Sequence, residues 1–316
     1  VDPLWLATIV IAALTAAHCT THRHSGDTQT GFTLLKLLLI VLFSAAALTL
    51  SPAEQHARFV LDSEATALLG SGTFAVSLIY VNYAYSGWNA ATYISGELAA
   101  PQRSLPRVLG ISTAVVAALY CLLNFVFLSV APMEAMAGKV EVGVIAAEFA
   151  FGPRLGTFMG LLLALLLIST ISAMILAGPR VLHRIGQDYP RFTPLARENR
   201  DGIPVSAILL QSGTALAFLW TASFEQILVF SGATMALNTF ATVLGLFILR
   251  WRQPHLPRPF RVTLYPVTPL LFLGITGWTL TYVVLQRPVE ALISAAIVAS
   301  GGGLYWLVRP NKPLDL

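Results

Sequence analysis

Charge is what this sequence lacks most. Only 11% of its 316 residues are Asp, Glu, Lys or Arg, whereas a soluble domain carries about 25%. A soluble globular fold of this length is excluded, because its surface would have too few charges to cover it. Cysteine is scarce too: Cys19 and Cys121 are too few for a disulfide framework. The sequence has no Gly-rich phosphate loop, catalytic-triad motif or metalloprotease motif. Those absences argue against a membrane enzyme and against an ATP-driven pump, and they imply no cofactor. Residues 1–25 lack the charged start and small-residue cleavage site of a signal peptide. The net charge of +4 does not suggest nucleic-acid binding. Its arginines fall between apolar runs, where their role is topological.

What is present is apolar. Hydrophobic residues make up 56% of the chain, and the mean hydropathy is +0.74. Taking about 17–25 apolar residues per bilayer crossing, nine membrane helices are expected in an all-α polytopic bundle. They run Leu4–Ala17, Phe32–Leu50, Phe74–Ile94, Val108–Ala131, Leu155–Ala177, Val205–Thr221, Ile227–Leu249, Val267–Leu285 and Ala291–Val308. With the Leu4 end outside and sides alternating, 14 Lys and Arg fall in inside loops and 4 in outside loops. Positive charge stays inside, so the C-terminus is expected in the cytoplasm. Glu141–Phe151 reads as a short outer surface helix capping the bundle, and Asp188–Gly202 as an ordinary connector.

One apolar segment is interrupted. Tyr83-Ala84-Tyr85-Ser86-Gly87-Trp88-Asn89 places a Ser-Gly pair and three large aromatics within the third run. A membrane helix broken at depth exposes backbone polar groups, which are tolerated only where they line a cavity or bind something. Secondary transporters hold substrate at such breaks. The outer half-helix is expected to end near Tyr83 with unpartnered carbonyls at its negative dipole end. An ammonium group would satisfy both. The competing reading is a small-residue notch for a neighbouring helix.

Lys36 is the only Lys or Arg deep in an apolar helix. At the bilayer centre it would cost roughly 2.5–3.5 kcal/mol on insertion scales. Snorkelling to the inner interface is one reading. The other is an internal cation facing Ser169, Thr170 and Ser172. Asn238 and Thr239, Ser231-Gly232 and Asn124 are weaker signals, since polar groups in membrane bundles commonly make interhelical hydrogen bonds. Glu97 is expected to pair with an arginine such as Arg103. His18 and His22 stand at metal-ligand spacing beside Cys19 and His24. No carboxylate or second cysteine is near in sequence, so no metal site is assigned and a solvated loop is the reading.

These residues sit in a recognisable pattern. YAYSGWNAATYISGELAAPQRSLPRVL, Tyr83 to Leu109, resembles the sixth membrane helix and following loop of the amino acid–polyamine–organocation superfamily, closest to its L-amino-acid transporter-like members. TGFTLLKLLLIVLF, ISAMILAGPRVLHRIGQD and LRWRQPHLPRPFRV are similar to stretches in the fifth, at the end of the eighth and after the tenth helix. The resemblance covers essentially the whole chain. It implies a leucine-transporter-type inverted-repeat fold, present in part. Residues 1–50 would close the first repeat, 74–249 form the second, and 267–308 supply two additional helices. The nine helices would be the family's fourth to twelfth, with three more expected upstream in an intact transporter.

The implied activity is secondary transport of L-amino acids across the cell membrane, by proton symport or exchange. A polyamine or amine carrier and a non-transporting membrane fragment or sensor are the alternatives. By resemblance, Tyr83 is an aromatic gate, and Ala84, Tyr85, Ser86 and Gly87 form the unwound segment. Lys36 takes the place of a sodium ion facing Ser169, Thr170 and Ser172, while Met235 and Asn238 lie beside the pocket. The implied ligand is a small amino acid, and the medium is the lipid bilayer. Animal exchangers of the family pair with a glycoprotein through a loop outside this chain, which leaves the protein partner open.

Overall fold

The computed structural model describes residues 2–20, 25–51, 63–88, 90–93 and 100–308. Among the described residues there are helices and turns and no strand. In chain order the α-helices are α1 (Pro3–Thr20), α2 (Ser25–Leu50), α3 (Ser63–Leu69), α4 (Gly72–Ala84), α5 (Ala90–Tyr93), α6 (Pro101–Val130) and α7 (Met133–Met136). Then come α8 (Val142–Phe151), α9 (Pro153–Ala177), α10 (Pro179–Asp188), α11 (Val205–Thr221), α12 (Phe224–Arg252), α13 (Val267–Gln286) and α14 (Pro288–Val308). Seven of the described helices are long and apolar enough to cross a bilayer, and the apolar α11 is shorter at 17 residues. This is an all-α, multi-pass membrane protein.

The chain forms two compact units. The first comprises Val1–Phe59, Gly110–Asp188 and Phe192–Leu216. Its core joins Phe43 and Ala47 of α2, Val126 and Val130 of α6, and Ala146, Ala147 and Ala150 of α8. Phe43 meets Phe127 and Phe151 edge-on at 6.1 and 6.0 Å. The expected outer surface helix therefore exists as α8, but its alanine face is buried in this core. Alanines recur at 146, 147 and 150, one helical face, and their small size lets α8 lie close against its neighbours.

Several polar groups in this unit pair between helices. Thr15 of α1 donates to Ser212 of α11 at 2.8 Å. The Met174 carbonyl accepts from Gly178 N and from Gln211 Nε2, both at 3.0 Å. That second donor helps satisfy the end of α9 as the chain turns into the polar-faced α10. The expected connector contains a 3-10 helix, Pro190–Ala196. Beyond it, Asn199 Oδ1 accepts from Asp201 N and Ile203 N at 2.9 and 3.0 Å, forming a turn of the kind asparagine favours.

The second unit comprises Val60–Leu109, Tyr189–Arg191 and Ala217–Leu316. Ile79 of α4, Ala233 and Ala236 of α12 and Val283 of α13 form its core. Ser71 caps α4, accepting from Phe74 N at 3.2 Å. Ser223 and Gln226 form a reciprocal capping box at the start of α12.

Candidate functional site

The interrupted segment is a true break in the second unit. α4 ends at Ala84, residues Tyr85–Trp88 form a turn, and helix resumes at Ala90. With 13 residues, α4 spans about 20 Å, short of the roughly 30 Å hydrocarbon core. Gly87 has φ +93°, a left-handed conformation that only glycine adopts without strain. Tyr85 N donates to the Val81 carbonyl and Ser86 N to the Tyr83 carbonyl, each at 3.0 Å. Two of the terminal carbonyls expected to lack partners are thus occupied by the turn's own amides. The negative end of the helix dipole remains at this turn. Tyr83 is 36% exposed and Trp88 50%. Asn89 and Glu97 lie outside the described residues.

α4 is held against α12 by a close backbone approach. A Cβ on Gly232 would lie 2.7 Å from Ile79 Cγ2 and 3.3 Å from the Ile79 carbonyl oxygen. The Ser231-Gly232 signal is therefore a packing notch, and the same Cβ would lie 3.7 Å from Tyr83 Cβ. Asn238 is exposed on α12, away from the buried Gly232–Ala233–Ala236 face. Thr239 Oγ1 donates to the Met235 carbonyl at 2.8 Å. Asn124 Nδ2 donates to Tyr120 O at 2.8 Å within its own helix.

In the first unit, Lys36 Nζ donates to Thr170 Oγ1 at 2.9 Å, joining α2 to α9. Thr170 in turn donates to the Leu166 carbonyl at 3.1 Å. Ser172 does not join this contact: its hydroxyl is hydrogen-bonded to His18 Nε2 of α1 at 2.8 Å. At 100° per residue, positions 170 and 172 lie on nearly opposite faces of a helix, so one serves α2 and the other α1. Ser169 is 4% exposed, and its hydroxyl has no partner among the described residues. His18 is thus part of a packed helix pair, where the sequence had suggested a solvated loop. His22 and His24 lie outside the described residues.

A polar cluster not anticipated from sequence also sits in the second unit. Arg287, at the end of α13, donates to Glu225 Oε1 at 2.7 Å. Tyr80 of α4 donates to the same oxygen at 3.2 Å. Glu290, at the start of α14, stands 3.9 Å from the Arg287 guanidinium. This ties α4, four residues before its end, to α12, α13 and α14. The available signal was that Glu225, Arg287 and Glu290 all flank apolar runs at ends assigned to one side of the membrane.

The sequence of this all-α membrane chain matches a known family. A family model described as amino acid permease matches residues 3–301. The chain belongs to that family. This permease is 27% identical to the large neutral amino acids transporter small subunit 2 of Mus musculus, over 97% of this chain and 59% of the relative. It is 26% identical to the Asc-type amino acid transporter 1 of Mus musculus, over 76% of this chain and 46% of the relative. It is also 24% identical to solute carrier family 7 member 12 of Mus musculus, over 86% of this chain and 58% of the relative. The chain therefore spans about half the length of the curated relatives it matches. The first two of these relatives are named as amino acid transporters and the third as a solute carrier, and the family is one of permeases rather than enzymes.

Proposed function

We propose that this permease is a secondary transporter moving L-amino acids across the cytoplasmic membrane, by proton symport or exchange. The break at Tyr85–Trp88 carries the reading. It combines a helix too short to span, a glycine at φ +93° and flanking exposed aromatics. A turn of this kind presents backbone groups and a dipole end to a zwitterionic ligand. In this reading Tyr83 gates the substrate, and Ala84, Tyr85, Ser86 and Gly87 line it. Lys36 is the internal cation, held by Thr170, with Ser169 and Ser172 on the same helix.

The arginine distribution supports a cytoplasmic C-terminus. The order of helices supports residues 1–50 as the end of one repeat, 74–249 as a second and 267–308 as additional helices. The test is uptake of labelled amino acids by the intact protein in liposomes, with and without a proton gradient and with and without amino acid inside. Accumulation driven by the gradient assigns symport. Uptake that needs internal amino acid assigns exchange. Uptake of neither kind, from protein shown to be folded, refutes the proposal.

A further inference from the structure

The loop after α12 is built like an anion receptor. α12 ends in Arg250-Trp251-Arg252, and the chain continues through Pro254, Pro257, Arg258, Pro259 and Arg261 to Tyr265 and Pro266. An open cavity of about 710 Å³ here is lined by Arg250, Arg258, Arg261 and Tyr265 among others. The chain has no Asp or Glu between Glu225 and Glu290. Among the described residues, no carboxylate comes within ion-pair distance of Arg250, Arg252, Arg258 or Arg261. Four positive charges thus gather in one short stretch with no counter-ion from the described protein.

Arg250 and Arg258 are positioned rather than loose. The Arg250 guanidinium stacks 3.6 Å over the Tyr265 ring, which itself packs against Phe247 at 5.4 Å. Stacking fixes the plane of the fork, and the Arg250 Nε is buried with no hydrogen-bond partner among the described residues. A buried donor left so asks for an acceptor. Arg258 organises the loop, donating to the carbonyls of Pro254, Leu256 and Gln253 at 2.8, 3.1 and 2.8 Å. Arg261 is exposed and makes no such contact, so its donors face the cavity mouth or solvent.

Apolar side chains in the same stretch are left outward. Trp251 is 81% exposed, Phe260 58% and Leu264 72%. Leu264 also has φ +55°, an uncommon and strained conformation for a leucine. Exposed aromatic and aliphatic groups interleaved with arginine suit the boundary between headgroups and acyl chains. The arginine count assigns this loop to the cytoplasmic side, where anionic lipids make the leaflet surface negative.

We propose that Arg250 and Arg261, organised by Arg258 and Tyr265, bind a phosphate-bearing anion, and that its source is the headgroup of an anionic phospholipid. Planar guanidinium forks match phosphate oxygens in bidentate pairs, and Trp251, Phe260 and Leu264 anchor the loop beside that lipid. The site rests on the sidedness reading but not on transport, so the two proposals can fail separately.

The test is lipid binding by the purified intact protein. Retention of phosphatidylglycerol is compared with phosphatidylcholine by native mass spectrometry and by titration with short-chain lipid. Inorganic phosphate is titrated in a parallel arm. The wild type is expected to prefer phosphatidylglycerol. Arg261→Gln, which disturbs no internal contact, should weaken that binding about 5-fold, and Arg250→Gln with Arg261→Gln about 30-fold. Arg154→Gln, on the other side by the same count, should leave it unchanged. Unaltered preference in the folded Arg261→Gln and double variants overturns the site. Displacement of the lipid by millimolar phosphate overturns the lipid source and assigns the site to the soluble anion.

Discussion

Replacing Lys36 by Met separates a structural role from a functional one, because the two predict opposite signs for stability. The Nζ–Thr170 hydrogen bond at 2.9 Å involves a charged donor, so its net contribution is about 1.5–3 kcal/mol in soluble proteins. In membrane bundles side-chain pairs average nearer 0.6 kcal/mol. Against it stands the cost of holding an ammonium in hydrocarbon, at most about 2.5–3.5 kcal/mol at the bilayer centre. Met keeps the length and apolar stem while removing that cost. Lys36→Met is therefore expected to leave stability unchanged or raise it by up to about 3 kcal/mol.

Thr170→Val removes the same bond from the other side but strands the ammonium without its acceptor. That variant should lose about 1–3 kcal/mol, and the double variant should behave like Lys36→Met alone. The assay is reversible unfolding of the intact protein in mixed micelles, with uptake measured on the same preparations. Equal destabilisation by both single variants would refute the argument that Lys36 sits at a net cost. Wild-type uptake by Lys36→Met would refute any functional role. Loss of gradient stimulation with exchange retained would assign the lysine to proton coupling.

Gly87→Ala forces a β-carbon into φ +93°, costing about 1–2 kcal/mol; amino-acid affinity, read by equilibrium binding, should fall, and unchanged affinity would place the break's function elsewhere. Gly232→Val introduces atoms where a Cβ already meets Ile79 at 2.7 Å, so thermal unfolding should show a loss of about 1–3 kcal/mol, while Gly245→Ala, with nothing within 4 Å, serves as the tolerated control. Glu225→Gln weakens its tie to Arg287; with side chains 55% and 38% exposed, the loss should stay below about 1 kcal/mol, and a loss beyond 2 kcal/mol on that scale would show the cluster to be shielded from water. Cysteines placed at Ser63 and Arg197 should label from opposite sides of the membrane, and labelling from one side would overturn the topology.

Much of the fold was legible in the sequence because hydropathy is local. α11 begins and ends at the expected Val205 and Thr221, and α13 departs from expectation by a single residue. Apolar length decides whether a segment can enter a bilayer, and each segment answers for itself. The break was legible for the same reason: Ser86-Gly87 weakens helix locally wherever it stands. Which side chains meet was not legible, since that depends on the direction each helix face takes. Ser169, Thr170 and Ser172 are neighbours in sequence, yet only Thr170 reaches Lys36, while Ser172 turns to His18.

α8 shows the same limit from another side. Its apolar spacing announced a helix, but an alanine-rich face fits a surface or a core equally well, and only the presence of Phe43 and Val126 made it core. Glu225, Arg287, Glu290 and Tyr80 are up to 210 residues apart in number, and no motif in the sequence links them. Packing of α4, α12, α13 and α14 brought them to one point. The sequence by itself determined that the chain crosses membranes, where its helices run and where one of them breaks. Tertiary structure alone decided which polar groups pair between helices, because hydrogen bonds form between groups near in space, and chain order does not record that distance.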